Sequence, residues 1–292
     1  MYNGIRSIDH PLIAVADMES SRATYEKLGF NVPPRGSHIE WGTGNWCIMF
    51  ANDYLELRGI LDPERYTLGL EDVLASYGEG LSGIAFGTEG AEISHAKMIE
   101  NGLEPKPVRY LTRNFEIPEG WLKPKFALCF PHDNDITGLM HVVLCDHLTP
   151  ELIRKPEYLI HPNDVQSIIS ATGIIDDIDA VMETQTRLLG ADAVRRDGNQ
   201  LILTTPTGQF IKLMPKAEFE AEYQGLAKQL DDHSSYLTAL SLQVGDLNIT
   251  KATLTTNGVP YVEVGSDAIR VPASSACGVV LEFVAQPTLS VN

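Results

Sequence analysis

Three polar side chains stand between apolar neighbours at widely separated places in the chain. They are His10 in SIDHPLIAV, Glu56 in DYLEL and His141 in LMHVV. Imidazole and carboxylate groups can each ligate a divalent metal ion. A lone histidine in an apolar strand is also typical of a hydrogen-bonded core residue, because a buried imidazole without a partner costs stability. The structural elements that carry these residues therefore decide which chemistry applies.

The segment around Glu56 has the alternation of a β-strand. Successive side chains of a strand point to opposite faces, so Tyr54 and Glu56 share one face while Leu55 and Leu57 share the other. His141 stands likewise between two apolar residues. Glu56 is then predicted to face a polar interior, although taken alone it also fits a solvated strand face.

Composition limits the class of protein. The chain has 292 residues, of which 43% are hydrophobic and 21% charged, and a formal net charge of −17. The length predicts two domains, and the negative charge makes nucleic acid an unsuitable partner. No stretch is apolar and long enough to span a membrane, and the first residues lack the pattern of a signal peptide, so a cytoplasmic protein is expected. The four cysteines form no C-x-x-C pair and are predicted to be buried free thiols.

The sequence contains four copies of one structural unit. Each copy has an apolar strand, an acidic helix start, a helix and a glycine, and the copies recur at a spacing of roughly 70 to 85 residues. The predicted helix N-caps include Asp17, Asp176 or Asp177, and Asp246. The glycines that follow the helices are Gly29, Gly102, Gly190 and Gly258.

Each helix is followed by period-two segments with turn residues, which predict strands and a hairpin. The unit is therefore βαβββ, and the predicted fold class is α+β, with four βαβββ modules paired into two domains. The second unit carries an insertion, KPVRYLTRNFEIPEGWLKPKF. A polar bridge, CDHLTPELIRKPEYLIHPNDV, separates the pairs, which predicts domains at 1–163 and 164–292. The bridge is interpreted as an interdomain strap, with Arg154 or His161 as alternative lid contacts.

This layout resembles the vicinal oxygen chelate superfamily, which includes glyoxalase I, methylmalonyl-CoA epimerase, fosfomycin-resistance proteins and extradiol dioxygenases. The first half is similar to the glyoxalase-like family in IDHPLIAV, PRGSHIEWGTGNW, DYLEL and HLTPELIRKPEYLIHPN. The resemblance covers essentially the whole chain and is strongest in residues 1–165. It implies two glyoxalase/bleomycin-resistance-like domains.

The resemblance also implies a metal site, because ligands in that superfamily come from the first and last strand of each unit. Alignment of the last strands places Glu56, His141, Lys212 and Glu282 at equivalent positions. Alignment of the first strands places His10, Gly83, Ser167 and Ala239 at equivalent positions. His10, Glu56 and His141 would hold Fe2+, Mn2+, Zn2+, Ni2+ or Co2+, Gly83 would leave a corner open for substrate, and the second domain would hold no metal.

Proton transfer at such a site requires a neighbouring base. His38 and Glu40 are the candidates, because their segment supplies the second strand and the approach to the third. Arg35 is a candidate for binding a substrate carboxylate or phenolate, and Asn45 for orienting a bound oxygen. Loop-anchoring hydrogen bonds are an equally good interpretation of Arg35 and His38. Four aromatic residues are candidates for an apolar pocket wall: Trp41, Trp46, Trp121 and Tyr110.

Three functions follow as hypotheses. The first is a divalent-metal-dependent glyoxalase-like isomerase or lyase acting on a small oxygen-chelating substrate through an enolate or alkoxide. The second is an Fe2+ ring-cleaving dioxygenase of extradiol type, although the resemblance places that metal site in the second domain. The third is a non-catalytic binding protein of the resistance type. The expected partners are a small-molecule substrate and, as a possibility left open, a second copy of the chain.

Overall fold

The computed structural model describes residues 3–133, 136, 138–230 and 235–285. Within these ranges the first half of the chain forms one β-sheet with three helices. Its elements are β1 (Ile5–Ala14), α1 (Met18–Lys27), β2 (Gly36–His38), β3 (Thr43–Met49), β4 (Tyr54–Ile60), α2 (Leu70–Tyr77), β5 (Gly80–Thr88), α3 (Ala91–Glu100), β6 (Lys106–Ile117), β7 (Gly120–Leu122), β8 (Lys125–Phe130) and β9 (Val142–His147).

The second half of the chain forms a second sheet, again with three helices in the described ranges. Its elements are β10 (Val165–Ile174), α4 (Ile178–Leu189), β11 (Val194–Asp197), β12 (Gln200–Thr204), β13 (Phe210–Met214), α5 (Lys216–Tyr223), β14 (Tyr236–Val244), α6 (Leu247–Thr256), β15 (Val262–Val264), β16 (Ala268–Val271) and β17 (Val280–Ala285). The predicted α+β fold of four βαβββ modules is confirmed. Helices α2 and α5 are additions between modules, and β7 is an addition within the second.

The helices begin largely where the sequence predicts. Asp17, Asp177 and Asp246 each accept a hydrogen bond from a backbone N–H in the first turn of their helix. Helix α3 differs, because it begins after Gly90 and has no side-chain cap. Gly29 follows α1 with a φ of 88°, a left-handed conformation that glycine adopts without strain.

The first sheet closes on itself. Its strand order is β2-β3-β4-β1-β5-β9-β8-β6-β7. Strand β2 also pairs with β6, so all of these strands except β7 form a closed ring. The closing ladder sets Gly36 opposite Phe115 and His38 opposite Arg113. Strand β6 is the second strand of the second module and begins the segment that the sequence analysis interprets as an insertion; its twelve residues pair with β2, β7 and β8. The pairing of β6 with β2 thus closes the first sheet into a walled cup.

The second sheet remains open, with the order β11-β12-β13-β10-β14-β17-β16-β15. Buried apolar side chains of both sheets form one continuous core. Polar contacts also join the halves: the Asp53 carboxylate accepts hydrogen bonds from the backbone N–H of Ile168 at 3.2 Å and from Gln209 Nε2 at 3.0 Å. The two sheets are therefore held together by burial and by specific hydrogen bonds.

The bridge between β9 and β10 behaves as a strap. His161 donates from Nε2 to the Met49 carbonyl at 2.9 Å and accepts at Nδ1 from the Asn31 N–H at 3.0 Å. Arg154 donates to the Phe50 carbonyl and to Asp9. These contacts support the strap interpretation over the lid alternative, because both side chains are committed to neighbouring groups of the first half.

Three of the four cysteines are buried as free thiols, as predicted, and Cys277 is half-buried. Of the helices in the described ranges, none combines the length and apolar character needed to cross a membrane.

Candidate active site

A cavity lies inside the closed first sheet. Strands β1, β2, β4, β6, β8 and β9 each contribute side chains to its wall, so the cavity depends on the closing β2–β6 ladder. The lining residues are His10, Leu12, His38, Trp41, Tyr54, Glu56, Arg58, Leu68, Leu111, Arg113, Phe126, Leu128, Phe130, His141, Val143 and Cys145. The structure thus brings His10, Glu56 and His141 to the wall of one cavity, but their ligand atoms do not all lie within 4.8 Å of one another; among the described residues the group that meets that limit is Asp9, Cys145 and His147.

His10 is positioned by an irregularity in β1. The ladder with β5 pairs Ile8 with Phe86 and His10 with Ala85, which leaves Asp9 as an extra residue, a β-bulge. The bulge lets Asp9 and His10 meet although they are consecutive, with Asp9 Oδ2 2.7 Å from His10 Nδ1. This contact assigns the proton to Nδ1, so in the neutral ring Nε2 carries the lone pair.

Glu56 faces that lone pair. Its Oε2 lies 3.7 Å from His10 Nε2, and its Oε1 accepts a hydrogen bond from Asn45 Nδ2 at 2.5 Å. Burial alone would raise the pKa of Glu56, but His10, Arg58 and other positive groups hold that pKa below its ordinary value. No donor of the described residues hydrogen-bonds to Oε2. The Tyr54 hydroxyl also lies 3.4 Å from His10 Nε2, so a cation held between this nitrogen and Glu56 Oε2 would displace a long hydrogen bond.

His141 lies one residue before β9. Its carbonyl accepts a hydrogen bond from the Ile84 N–H at 2.8 Å, and its ring lines the cavity. Neither ring nitrogen has a hydrogen-bond partner within the described ranges. Burial lowers the pKa of His141 to about 4, so the ring is neutral at pH 7. A neutral, unpartnered imidazole is the form that ligates a metal.

Two alignment predictions for this site are wrong. The residue six positions before the first residue of each helix marks an equivalent first-strand position, which is Leu12 before α1 and Ala85 before α3. Leu12 pairs with Glu56 on the neighbouring parallel strand, whereas Ala85 pairs with Val143. Val143, not His141, is therefore the counterpart of Glu56. Nor does Gly83 leave a corner open, because a Cβ there would lie 2.2 Å from the His141 carbonyl oxygen. Gly83 instead allows the His141 backbone to approach β5.

The counterpart of His10 in the second sheet also differs from the prediction. Ser170 pairs with Ser241 across a bulge like that at Asp9, so Ser170 rather than Ser167 occupies the equivalent position. The last-strand counterparts of Glu56 are engaged in ion pairs. Lys212 Nζ contacts both carboxylate oxygens of Glu222, at 2.9 and 2.8 Å. The absence of a metal site in this half stays a prediction that these pairings favour.

Glu282, the other counterpart, accepts a hydrogen bond from Arg270 Nε at 2.8 Å and one from the Ser241 hydroxyl. The Arg270 guanidinium also lies over the Tyr223 ring, 4.1 Å from its centroid. Helix α5 supplies Tyr223, so an element outside the predicted module supplies part of this polar cluster.

Of the other four predicted site residues, His38 and Asn45 lie in or next to the cavity wall, whereas Arg35 and Glu40 lie away from it. His38 lines the cavity, its Nδ1 lies 2.8 Å from the Thr43 hydroxyl, and burial lowers its pKa to about 4. Asn45 is fully buried and holds Glu56 rather than a substrate oxygen. Arg35 lies outside the cavity wall, because its guanidinium forms a two-nitrogen contact with Glu116 that anchors the start of β2. Glu40 is exposed in the turn after β2 and does not line the cavity.

Two cavity arginines were missed by the sequence analysis. Arg58 follows Glu56 by two residues on β4, so the same alternation that selects Tyr54 and Glu56 also selects Arg58. Arg113 lies on β6, and no local pattern predicts that β6 closes the cup. Arg58 is 5% exposed and Arg113 2% exposed.

A second group of ligand-type atoms lies behind His10. One ligand atom each of Asp9, Cys145 and His147 lies within 4.8 Å of the others. The Asp9 carboxylate is already occupied: Oδ2 contacts His10 Nδ1 and His147 Nε2, and Oδ1 accepts from Arg154. Burial raises the pKa of the Cys145 thiol well above its ordinary value, so it stays protonated. We interpret this group as the hydrogen-bond network that orients His10.

The aromatic prediction holds for one residue of four. Trp41 lines the cavity, but Trp46 lies in the core with its indole N–H donating to the Met18 carbonyl at 2.8 Å. Trp121 and Tyr110 are exposed. The cavity's other aromatic walls come from Tyr54, Phe126 and Phe130.

Paired βαβββ modules around a polar cup define this chain as a member of the vicinal oxygen chelate superfamily. The model of the glyoxalase-like domain family matches residues 8–189, and the chain belongs to that family. The match continues past residue 163 through β10 and α4, so the division at that residue remains a prediction.

Solved structures show the same fold. A hypothetical protein from Staphylococcus aureus has a TM-score of 0.68 and 12% identity, with 95% of this chain and 98% of that chain covered. A mutant of 4-hydroxymandelate synthase from Streptomyces coelicolor has a TM-score of 0.62 and 11% identity, with 98% and 93% covered.

A xylose isomerase-like TIM barrel/4-hydroxyphenylpyruvate dioxygenase fusion protein has a TM-score of 0.59 and 12% identity, and the similarity covers 100% of this chain and 50% of that one. A comparison with curated proteins gives no match. At such identities these structures establish the architecture, and the function has to be argued from the site.

Proposed function

We propose that this chain is a divalent-metal-dependent enzyme of glyoxalase-like type, an isomerase or lyase acting on a small molecule with two neighbouring oxygens. The observation that carries the proposal is the presence of facing ligand-type atoms in the cavity. His10 Nε2 faces Glu56 Oε2 at 3.7 Å, and the neutral His141 ring has no hydrogen-bond partner in the described ranges. His10 and Glu56 would hold the ion, and His141 would join them after its ring moves closer, because the three ligand atoms do not all lie within 4.8 Å of one another. Fe2+, Mn2+, Zn2+, Ni2+ and Co2+ all suit two imidazoles and one carboxylate.

Supporting groups behind the ligands favour this assignment. Metal-ligating histidines usually donate their other N–H to a carboxylate, and Asp9 supplies that carboxylate for His10. Asn45 fixes Glu56 in the same way by donating to Oε1, which leaves Oε2 directed at His10. When bound, the ion would supply positive charge that stabilises an enolate or alkoxide.

The chain's own contribution to proton transfer is assigned to His38. Its Nδ1 contacts the Thr43 hydroxyl at 2.8 Å and the Thr43 carbonyl at 3.3 Å, and a carbonyl only accepts, so the proton lies on Nδ1. The Nε2 of the neutral ring is then free to accept a substrate proton. Burial lowers the pKa of His38 to about 4, so the ring is unprotonated at neutral pH and can accept a proton, while the same burial makes it a weaker base than a solvent-exposed histidine.

Metal content tests the proposal. We expect elemental analysis of the chain, purified without chelators, to give about one transition-metal ion per molecule. His10→Ala and His141→Ala should each lower that content at least tenfold, whereas Lys212→Ala in the second sheet should leave it unchanged. A metal-free wild-type protein whose melting temperature does not respond to added metal would refute the proposal and favour the non-catalytic binding protein.

The same ligand set favours a second candidate, a ring-cleaving Fe2+ dioxygenase, because two histidines and one carboxylate also form the facial triad of non-haem iron enzymes. Oxygen uptake distinguishes the two. After reconstitution with Fe2+, consumption of oxygen with a panel of catechols would support the dioxygenase, and no uptake across the panel would remove it.

A further inference from the structure

Two buried guanidinium groups line the cavity beside the proposed metal site. Arg58 on β4 and Arg113 on β6 are 5% and 2% exposed. Arginine stays protonated in proteins, so both side chains carry a full positive charge. A buried charge is normally paired, because removing it from water without compensation costs several kcal/mol. Each of these two guanidinium groups is therefore expected to have a partner.

Arg58 has no such partner in the described part of the chain. No hydrogen bond or ion pair of the described residues reaches its guanidinium, and its Nε is buried and unsatisfied. Burial lowers the pKa of Arg58, and the charge of Glu56 opposes that shift without a direct contact. Glu56 Oε1 accepts from Asn45 and Oε2 lies 3.7 Å from His10 Nε2, and neither oxygen forms a hydrogen bond or ion pair with Arg58 among the described residues.

Arg113 is only partly satisfied. Its Nη1 donates to Cys47 Sγ at 2.9 Å, and its guanidinium lies 5.3 Å from the centre of the Phe126 ring. Burial raises the pKa of the Cys47 thiol to about 12, so this sulfur is neutral and does not balance the charge. Nε and Nη2 of Arg113 are buried without a partner.

The charge of the cavity wall is therefore positive. Two guanidinium groups stand against the single carboxylate of Glu56 among the lining residues, and protonation of a lining histidine would only add positive charge. A bound divalent ion would increase this excess. The chain as a whole carries a net charge of −17, so the positive cavity is a local feature that the composition does not predict.

We propose that Arg58 and Arg113 form a carboxylate-binding subsite, and that the ligand of the cavity is a small organic acid with an apolar, ring-sized body. A carboxylate would accept from the planar guanidinium forks, which present paired N–H groups at its spacing. The body would lie against the apolar part of the wall, formed by Leu68, Leu111, Trp41, Phe126, Leu128 and Phe130. This proposal identifies the substrate class of the proposed enzyme, and in that respect it rests on the proposed function.

Benzoate and benzamide test the subsite, because they have the same shape and differ in charge. We expect calorimetric titration of the 292-residue chain to show benzoate binding at least tenfold tighter than benzamide, and tighter than inorganic phosphate. Arg58→Met should weaken benzoate binding at least tenfold and leave benzamide binding unchanged. Arg195→Gln, at an exposed ion pair of the second sheet, is the matched control and should bind benzoate like the wild type.

Stability without ligand separates a binding role from a structural one. Because Arg58 has no partner to lose among the described residues, Arg58→Met should melt at the wild-type temperature or above it, while losing the stabilisation that benzoate gives. Equal affinity for benzoate and benzamide, tighter binding of phosphate, binding of neither aryl compound, or undiminished benzoate binding by Arg58→Met would each overturn the subsite.

The titrations are made on protein as isolated and again after dialysis against EDTA. Charge-selective binding that persists after dialysis supports the subsite whatever the metal analysis shows. Metal binding that depends on His10 and His141, together with a failure to distinguish benzoate from benzamide, would leave the proposed function standing and refute the subsite alone.

Discussion

Asp9 and His10 are consecutive residues whose side chains meet, with Oδ2 of Asp9 2.7 Å from Nδ1 of His10. Neighbouring residues of a regular strand point to opposite faces, and the bulge in β1 removes that constraint. The same carboxylate lies 2.9 Å from His147 Nε2. Burial would raise the pKa of Asp9, but both histidines lower it far below its ordinary value, so Asp9 is ionised.

Asp9→Asn should weaken metal binding by about 10- to 100-fold, because the imidazole of His10 loses the carboxylate that orients it and increases its basicity. Zinc titration with a competing chromophoric chelator measures the affinity. Asp17→Asn is the control, since asparagine caps a helix as well as aspartate. An unchanged zinc affinity in Asp9→Asn would show that Asp9 does not act through His10.

Asn45→Ala should also weaken zinc binding, by about tenfold, because Glu56 loses the donor that fixes its carboxylate. The fully buried Glu56 contact also contributes to folding, and its loss should lower the free energy of unfolding by about 1 to 3 kcal/mol. Asn199→Ala removes a similar amide-to-carboxylate contact at the surface and should change neither quantity measurably. Identical zinc affinities in the two variants would contradict the role assigned to Asn45.

Gly83→Ala should both destabilise the fold and displace His141. The added Cβ would lie 2.2 Å from the His141 carbonyl oxygen, a backbone atom, so β5 and the segment before β9 must separate. We expect a cost of about 1 to 3 kcal/mol in chemical denaturation and a parallel loss of zinc affinity. Gly198→Ala, at a turn with a φ of 60° and nothing within 4 Å, should cost stability alone.

Asp53→Asn should change how stability depends on pH. Burial raises the pKa of Asp53 to about 7, although hydrogen bonds from Ile168 and Gln209 oppose the shift. The folded state therefore keeps this proton to about pH 7, whereas the unfolded chain loses it near 3.8. The wild type should lose roughly 4 kcal/mol from this group as pH rises between those values.

Urea denaturation at pH 4, 5.5, 7 and 8 measures this effect. The wild type is compared with the Asp53→Asn variant at each pH, and the difference in unfolding free energy should move in favour of the variant as pH rises. Parallel curves across the range would show that folding does not raise the pKa of Asp53.

The sequence by itself determined the repeat, and with it the architecture. Acidic N-caps, glycine stops and period-two segments are local signals, because each depends on the conformation of a few adjacent residues. Four βαβββ modules, the additions aside, could be predicted for that reason. The same signals, with the family resemblance, placed His10, Glu56 and His141 on strand-like segments.

Only the tertiary structure decided how the site is built. The bulge at Asp9, the approach of His141 to Gly83 and the pairing of β2 with β6 depend on hydrogen bonds between segments far apart in the chain. Strand register alternates the face of every side chain, so one extra residue changes which groups meet. Arg113 lies at the cavity because β6 pairs with the distant strand β2, and the residues next to Arg113 in the sequence do not predict that pairing.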